Sequence, residues 1–120
     1  MEFRLDDKVA IVTGASRGIG AAVARELVRV GASVVVAARG ADSLQDVARS
    51  LEGHGLAVAT DVSRTEDLDR LVAAAVDKFG GVDLLVNNAG VAPPAKQIYD
   101  VSLEEWQTTL DVNLRGVWYL

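Results

Sequence analysis

One stretch of the sequence decides the fold: Thr13-Gly14-Ala15-Ser16-Arg17-Gly18-Ile19-Gly20. It follows the apolar run Val9–Val12, which is typical of a strand buried on both faces. Gly14 can adopt the geometry of a sharp turn, and Gly18 and Gly20 lack a Cβ, so that a pyrophosphate and the sheet can both come close. A helix that begins near Gly18 directs free N–H groups and the positive end of its dipole at an anion. The stretch therefore predicts a nucleotide-binding loop, with an ordinary strand-to-helix turn as the alternative.

Short apolar runs alternate with segments of helical periodicity along the whole chain. The predicted strands are Val9–Val12, Ser33–Ala37, Leu56–Thr60 and Val82–Val86. The apolar residues that predict the helices are Ile19, Val23, Leu27 and Val30; Leu44, Val47, Ala48 and Leu51; Leu68, Leu71, Val72, Ala75, Val76 and Phe79; and Leu103, Trp106, Leu110, Leu114 and Val117. This β-α-β-α-β-α-β-α order predicts an α/β fold, a Rossmann-like doubly wound parallel sheet with right-handed crossovers. The expected strand order is 3-2-1-4.

Turn and capping residues indicate where the predicted helices begin and end. Gly31, Gly53 and Gly80-Gly81 follow the first three helices, where glycine favours the left-handed conformation that ends a helix. Two S-x-x-E sequences, Ser63–Glu66 and Ser102–Glu105, predict capping boxes at the starts of the third and fourth helices. No stop signal follows the fourth helix, so we expect the domain to be truncated there.

The composition excludes several classes of protein. The 120 residues include no cysteine and one histidine, His54, so disulfide scaffolds, histidine triads and metal sites are not expected. A net charge of −5 without a cluster of Lys or Arg argues against nucleic-acid binding. The longest apolar run has six residues, Leu71–Val76, whereas a membrane span needs about 20. The length predicts one domain, residues 1–120. We expect it in the cytoplasm, because the N-terminus has no features of a secretory signal.

Four motifs lie at the ends of the predicted strands or in the helix that follows the last strand. They are the T-G-x-x-x-G-x-G loop at 13–20, Asp61-Val62 after the third strand, Asn87-Asn88-Ala89-Gly90 after the fourth, and Asn113 in the last helix. Together they resemble the short-chain dehydrogenase/reductase family, over the N-terminal half of that family's domain. The resemblance implies four strands of a normally larger sheet. It also implies an oxidoreductase that transfers hydride between nicotinamide and a carbonyl or secondary alcohol.

The resemblance further implies which residues contact the cofactor. They are Gly14, Ser16, Arg17, Gly18, Ile19, Gly20, Arg39, Asp61, Val62, Asn88, Ala89 and Gly90. In the family, the aspartate matching Asp61 accepts a hydrogen bond from the adenine amino group, and the residue matching Val62 lines the adenine pocket. Asn87 is expected to tie the sheet to neighbouring backbone. From the residues alone, a turn aspartate at position 61 and an ordinary N-N-A-G turn stay open.

The residues after the second strand bear on the choice of cofactor. NAD-binding folds carry an acidic residue about 20 residues past the glycine loop, where it binds the ribose hydroxyls. This chain has Ala38 followed by Arg39, and Arg17 lies within the loop. Two guanidinium groups suit a 2′-phosphate, and the resemblance implies the same choice, so NADP(H) is favoured over NAD(H). The alternative is that Arg39 is a solvated loop residue.

The family's catalytic group is largely missing from this sequence. Its chemistry needs a tyrosine, a lysine four residues later and a serine. The sequence has no Tyr-x-x-x-Lys, since Leu103 stands four residues after Tyr99 and Tyr119 is next to the last residue. Asn113 matches the remaining catalytic residue, which in the family bends its helix and holds a water linked to the lysine. A core asparagine with satisfied hydrogen bonds is the alternative for Asn113, and we expect the isolated chain to be inactive.

Other functions stay open from the sequence alone. One alternative is a standalone nucleotide-binding or regulatory module, and another is a methyltransferase, which commonly has an acid where Ala38-Arg39 stands. A small-molecule carbonyl or alcohol substrate is expected only for the full-length enzyme. An unpaired edge on the fourth strand and the apolar end Val117–Leu120 predict self-association. The resemblance implies a homo-oligomer, often packed through the helix that begins at Leu103.

Overall fold

The computed structural model describes residues 3–91 and 97–120, in which strands and helices alternate. In chain order the main elements are β1 Val9–Thr13, α1 Gly18–Arg29, β2 Ser33–Ala38, α2 Ala41–Ser50, β3 Gly55–Ala59, α3 Thr65–Phe79, β4 Leu84–Val86, α4 Leu103–Leu110 and α5 Gly116–Tyr119. A short 3-10 turn covers Ile98–Asp100, and a π-helical turn, Asp111–Arg115, joins α4 to α5. No helix in the described residues is long and apolar enough to cross a membrane.

The four strands form one parallel sheet in the order β3-β2-β1-β4, which confirms the predicted topology. Val12 of β1 lies opposite Val36 of β2 on one side and Val86 of β4 on the other. The strand order reverses between β1 and β4, and sheets of this type open a crevice there, beyond the carboxyl ends of the strands. The glycine loop after β1 and the Asn87–Gly90 turn after β4 therefore face each other.

The central strands are buried because helices cover both faces of the sheet. Alternate residues of β1 point to opposite faces. Ala10 and Val12 belong to the core that contains Leu44 of α2, whereas Ile11 belongs to the core that contains Leu71 of α3. A strand in this position needs apolar residues on both sides, which explains the continuous apolar runs in the sequence.

β4 begins two residues later than the predicted strand Val82–Val86. The polar residue in that run, Asp83, bonds to the start of β1 through both its backbone and its side chain. Its N–H donates to the Val9 carbonyl at 2.8 Å, and its Oδ2 accepts from Val9 N at 2.8 Å. Within the described sheet β4 has β1 as its single neighbour, so its other edge is unpaired.

The predicted buried face of α1 is wrong at the start of the helix. Ile19 is 76% exposed, whereas Gly20, Ala21 and Ala24 are buried. The helix lies so close to the glycine loop and the sheet that only small residues fit between them. The predicted end of the helix is confirmed, because Gly31 follows it with a φ of +107°.

The two predicted capping boxes have different outcomes. At α4 the Ser102 hydroxyl accepts a hydrogen bond from Glu105 N at 3.0 Å, which confirms the serine cap. At α3 the prediction is wrong, because the helix begins at Thr65 and the Ser63 hydroxyl instead donates to Asp61 Oδ1 at 2.6 Å. The Ser63 hydroxyl, which the pattern predicts to cap the helix, thus binds the carboxylate of Asp61, two residues earlier in the chain.

The apolar stripe predicted for the last helix is mostly exposed. The exposed members are Leu103, Trp106, Leu114 and Val117. The buried residues of this region are Val112, in the π-helical turn, and Gly116. The prediction fails because helical spacing identifies an apolar face but does not say whether another element covers it.

Candidate functional site

A cavity of about 370 Å³ lies at the carboxyl edge of the sheet, where the strand order reverses. The predicted site residues that line it are Gly14, Ser16, Arg17, Arg39, Asp61, Val62, Asn88, Ala89 and Gly90. Those that do not line it are Gly18, Ile19, Gly20 and Asn113. Lining residues that the sequence motifs do not indicate are Gly40, Ser43, Thr60, Val91 and Val112. The volume falls within the usual range for small-molecule and cofactor sites.

Thr13, at the end of β1, joins the two loops that border the cavity. Its side chain is 1% exposed, and its Oγ1 accepts hydrogen bonds from Asn88 N and Ala89 N, each at 3.0 Å. The same hydroxyl donates to the Val86 carbonyl at 3.4 Å. One buried hydroxyl thus satisfies two backbone donors of the turn after β4. The signal in the sequence is a polar residue that ends an apolar run directly before Gly14.

Asn88 makes a second link between the same loops. Its Nδ2 donates a hydrogen bond to the Gly14 carbonyl at 3.1 Å. The tie to neighbouring backbone that was expected of Asn87 is therefore made by Asn88, and the Asn87 side chain is exposed. Successive side chains of an extended segment point in opposite directions, so only one of the two asparagines can face the glycine loop.

The glycines of the loop meet two different requirements. A Cβ at Gly20 would lie 2.4 Å from the Gly14 carbonyl oxygen and 2.6 Å from Asn88 Nδ2, so this position needs close approach. Gly14 has a φ of +64°, and a Cβ there would lie 2.9 Å from the Ala89 Cα. Gly18 has a φ of +59°, but a Cβ there would meet nothing within 4 Å in the described chain. Backbone conformation alone favours glycine at position 18.

The start of α1 is open to an anion. Its first turn, Gly18–Gly20, carries no acidic side chain, and no side chain in residues 3–91 and 97–120 caps it. By contrast, the first turn of α4 carries Glu104 and Glu105 and is capped by Ser102. The first backbone N–H groups of α1 are therefore available to a phosphate group, which the helix dipole also favours.

Two arginines and the start of α2 border the cavity together. Arg17 and Arg39 are exposed, and neither forms an ion pair with another residue in the part of the chain that the structure describes. Gly40 and Ser43, which follow Arg39 at the start of α2, line the cavity too. With Ala38 in place of an acid, this part of the site offers two guanidinium groups and a hydroxyl as hydrogen-bond donors.

Asp61 lines the cavity and also shapes the turn after β3. Its Oδ1 accepts hydrogen bonds from Ser63 N at 3.0 Å and Ser63 Oγ at 2.6 Å. Its backbone N donates to Asp67 Oδ2 at 2.8 Å, and this bond, helped by Arg70, holds the pKa of the Asp67 carboxyl below its usual value. Asp61 is therefore both a turn residue and part of the cavity wall, because the carboxylate that orders the turn also borders the cavity.

Asn113 does not line the cavity, but it holds Val91, which does. Its Oδ1 accepts a hydrogen bond from Val91 N at 2.9 Å, and its Nδ2 donates to the Val91 carbonyl at 2.8 Å. The residue lies in the π-helical turn, an interruption of the regular helix that occurs frequently at functional sites. The alternative of a core asparagine is right about the hydrogen bonds, which are satisfied, and wrong about burial, because the side chain is exposed.

The arrangement suits a ligand that carries phosphate groups. The open start of α1, the two arginines and the space left by the glycines provide for negative charge and close contact. Asp61 adds a hydrogen-bond acceptor at the same edge. The described residues contain no group of three or more histidine or acidic side chains placed to hold a metal ion.

Comparisons with known proteins agree with this fold. A family model described as short chain dehydrogenase matches residues 8–120. An uncharacterized oxidoreductase of Staphylococcus aureus strain MRSA252 is 44% identical over 116 residues, which cover 96% of this chain and 50% of that protein. The chain thus spans about half the length of this relative.

Two solved structures are similar over nearly the whole chain. The 3-ketoacyl-(acyl-carrier-protein) reductase from Brucella melitensis, complexed with NADH, has a TM-score of 0.92 at 40% identity and matches 95% of this chain and 47% of its own. The L-sorbose reductase from Gluconobacter frateurii, complexed with NADPH and L-sorbose, has a TM-score of 0.93 at 37% identity. The match covers 100% of this chain and 47% of that chain. With the family model covering residues 8–120, the chain belongs to the short-chain dehydrogenase family.

Proposed function

We propose that this chain is the NADP(H)-binding half of an oxidoreductase, and that the whole protein transfers hydride between nicotinamide and a carbonyl or secondary alcohol. The observation that carries the proposal is the cavity between the glycine loop and the Asn88–Gly90 turn, beside the open start of α1. Two similar proteins were solved with NADH and with NADPH, which supports a nicotinamide cofactor. The cofactor supplies the hydride chemistry, and the protein binds and orients it.

The proposed contacts follow the chemistry of the cavity wall. The loop at 13–20 and the first N–H groups of α1 hold the pyrophosphate. Arg17 and Arg39 hold the 2′-phosphate, because guanidinium groups donate paired hydrogen bonds to phosphate oxygens. Asp61-Val62 borders the adenine ring, and Asn88–Gly90 borders the ribose and nicotinamide, where small residues leave room.

Catalysis by the whole protein requires residues that this chain does not contain. Tyrosine has a pKa of about 10, so it acts as an acid or base near neutral pH only beside a cation, and the sequence has no Tyr-x-x-x-Lys. We propose that residues 1–120 are part of a larger domain, which the half-length match to relatives supports, and that alone they convert no substrate. Asn113 is the member of the family's catalytic group that is present, and here it holds Val91.

Arg39→Ala is expected to weaken NADPH binding about tenfold and to leave NADH binding nearly unchanged. The reason is that one charge-assisted hydrogen bond contributes about 1.5–3 kcal/mol, less at an exposed site such as this one. Isothermal titration of the unaltered chain and the variant with NADPH and NADH measures the effect. Titration with S-adenosylmethionine tests the methyltransferase alternative.

Arg49→Ala is the matched control for this experiment. Arg49 is also an exposed arginine, on α2, but it pairs with Asp46 and does not line the cavity, so both affinities should stay unchanged. Equal affinities of the unaltered chain for NADPH and NADH would refute the NADP(H) preference. Binding of S-adenosylmethionine alone would favour a methyltransferase instead.

The chain on its own is expected to self-associate, as a homo-oligomer. Trp106 and Leu114 on the outer face of α4 and the π-helical turn are exposed, and in the described sheet the outer edge of β4 is unpaired. Both features favour contact with a second chain. Sedimentation of the chain should show species larger than a monomer, and the double variant Trp106→Glu with Leu114→Glu should shift them toward monomer. A single monomeric species that melts cooperatively would contradict this expectation.

A further inference from the structure

The π-helical turn and the first residue of α5 contact the loops that follow the two outermost strands. β3 and β4 lie at opposite edges of the sheet, about 14 Å apart at a spacing of about 4.8 Å between neighbouring strands. Asp61-Val62 follows β3 and Val91 follows β4 in the chain, and all three residues line the cavity. One short segment, Asp111–Gly116, therefore contacts two walls of the cavity.

Gly116 is buried against the backbone of the loop after β3. A Cβ at this position would lie 2.6 Å from the Val62 carbonyl oxygen. The obstacle is a backbone atom, which cannot rotate away as the end of a flexible side chain can. The helix comes this close to Val62 because residue 116 has no side chain.

Arg115 contacts the same loop one residue further along. Its Nη2 donates a hydrogen bond to the Ser63 carbonyl, while its Nη1 lies 3.7 Å from Asp111 Oδ1. Ser63 in turn donates its N–H and its hydroxyl to Asp61. The guanidinium therefore acts on the turn that carries Asp61 rather than on the cavity directly.

We propose that Arg115 and Gly116 are positioning residues for the adenine end of the bound cofactor, acting through the backbone of Val62 and Ser63. The proposal rests on the function proposed above and adds two residues that do not line the cavity. A shift of the Val62 carbonyl moves the wall beside Asp61, so the adenosine part depends on this contact. The nicotinamide part lies beside the wall that Asn113 holds and does not depend on it.

The test compares how the full chain binds the two halves of the cofactor, by isothermal titration. The probes are NADPH, adenosine 2′,5′-bisphosphate and nicotinamide mononucleotide. Gly116→Ala is expected to weaken NADPH and the bisphosphate about tenfold and the mononucleotide less than about twofold, because the methyl group displaces Val62 and not Val91. Arg115→Met, which lacks the hydrogen bond to Ser63, is expected to weaken the same two probes about threefold, and Arg115→Lys to restore part of the loss.

Gly81→Ala and Arg49→Met are the matched controls, and both should bind all probes as the unaltered chain does. In the described chain a Cβ at Gly81 meets nothing within 4 Å, and Arg49 does not line the cavity. Equal losses for both half-probes, or no loss, would overturn the positioning role while the proposed function stands. Should Gly116→Ala fail to fold, the comparison on Arg115→Met decides the question. Failure of the unaltered chain to bind NADPH would refute the proposed function and this role with it.

Discussion

Thr13→Val should lower the free energy of unfolding by about 2–4 kcal/mol, although the two side chains have nearly the same shape. The hydroxyl accepts hydrogen bonds from Asn88 N and Ala89 N, and its removal leaves both donors unpaired. A buried donor without a partner costs about 1–3 kcal/mol. Water cannot replace the hydroxyl, because the Thr13 side chain is 1% exposed. Urea unfolding followed by circular dichroism measures the loss.

The control for this variant is Thr13→Ser, which keeps the oxygen and removes one methyl group. Its cost should be about 1 kcal/mol, from lost apolar burial alone. Thr13→Val should also weaken NADPH binding, because the turn that borders the cavity loses its link to β1, whereas Thr13→Ser should bind nearly normally. Similar unfolding midpoints for the two variants would contradict the role assigned to the hydroxyl.

The topology could be predicted from the sequence because each of its parts leaves a local signal. A strand buried on both faces needs a run without polar residues, and Val34–Ala37 of β2 shows one. The glycine loop defines where the first strand ends and the first helix begins. The β-α alternation predicts a doubly wound parallel sheet; 3-2-1-4 is a common order in such sheets, and the structure confirms it.

Burial of the helix faces was harder to predict, because it depends on what lies next to each helix. The period of α4 correctly marks an apolar face, yet Trp106 on that face is exposed. The pattern at α1 favoured Ile19, whereas the close approach of backbone selects Gly20 and Ala24 for the buried side. Tertiary distance, which a local pattern does not contain, decides both cases.

The candidate site shows the same division between local and tertiary signals. Its glycines were predictable, because a strand followed by a glycine-rich turn and a helix is a local pattern. The hydrogen bonds of Thr13, Val91 and Arg115 were not, since each joins the residue to a partner at least 22 positions away in the chain. The Asn113 amide was found by resemblance, but its partner, the Val91 backbone, became apparent only from the folded chain.

Gly20→Ala is expected to destabilise the protein by about 1–3 kcal/mol, against the direction that helix propensity predicts. In the interior of an ordinary helix, alanine in place of glycine stabilises by about 1 kcal/mol. At position 20 the new methyl carbon would lie 2.4 Å from the Gly14 carbonyl oxygen, so α1 or the loop must move. The movement also displaces the first N–H groups of α1, and NADPH affinity should fall by about tenfold or more.

Gly18→Asn separates this steric effect from the conformational one. Gly18 has a φ of +59° with open space around it in the described residues, so alanine there should cost about 1–2 kcal/mol and asparagine, which tolerates this conformation, clearly less. No residue with a side chain can recover stability at Gly20 in the same way, since every Cβ meets the same carbonyl. Urea unfolding of the nucleotide-free variants at positions 18 and 20 measures these differences in stability. A Gly20→Ala variant more stable than the unaltered chain would show that α1 does not pack on the glycine loop as closely as described.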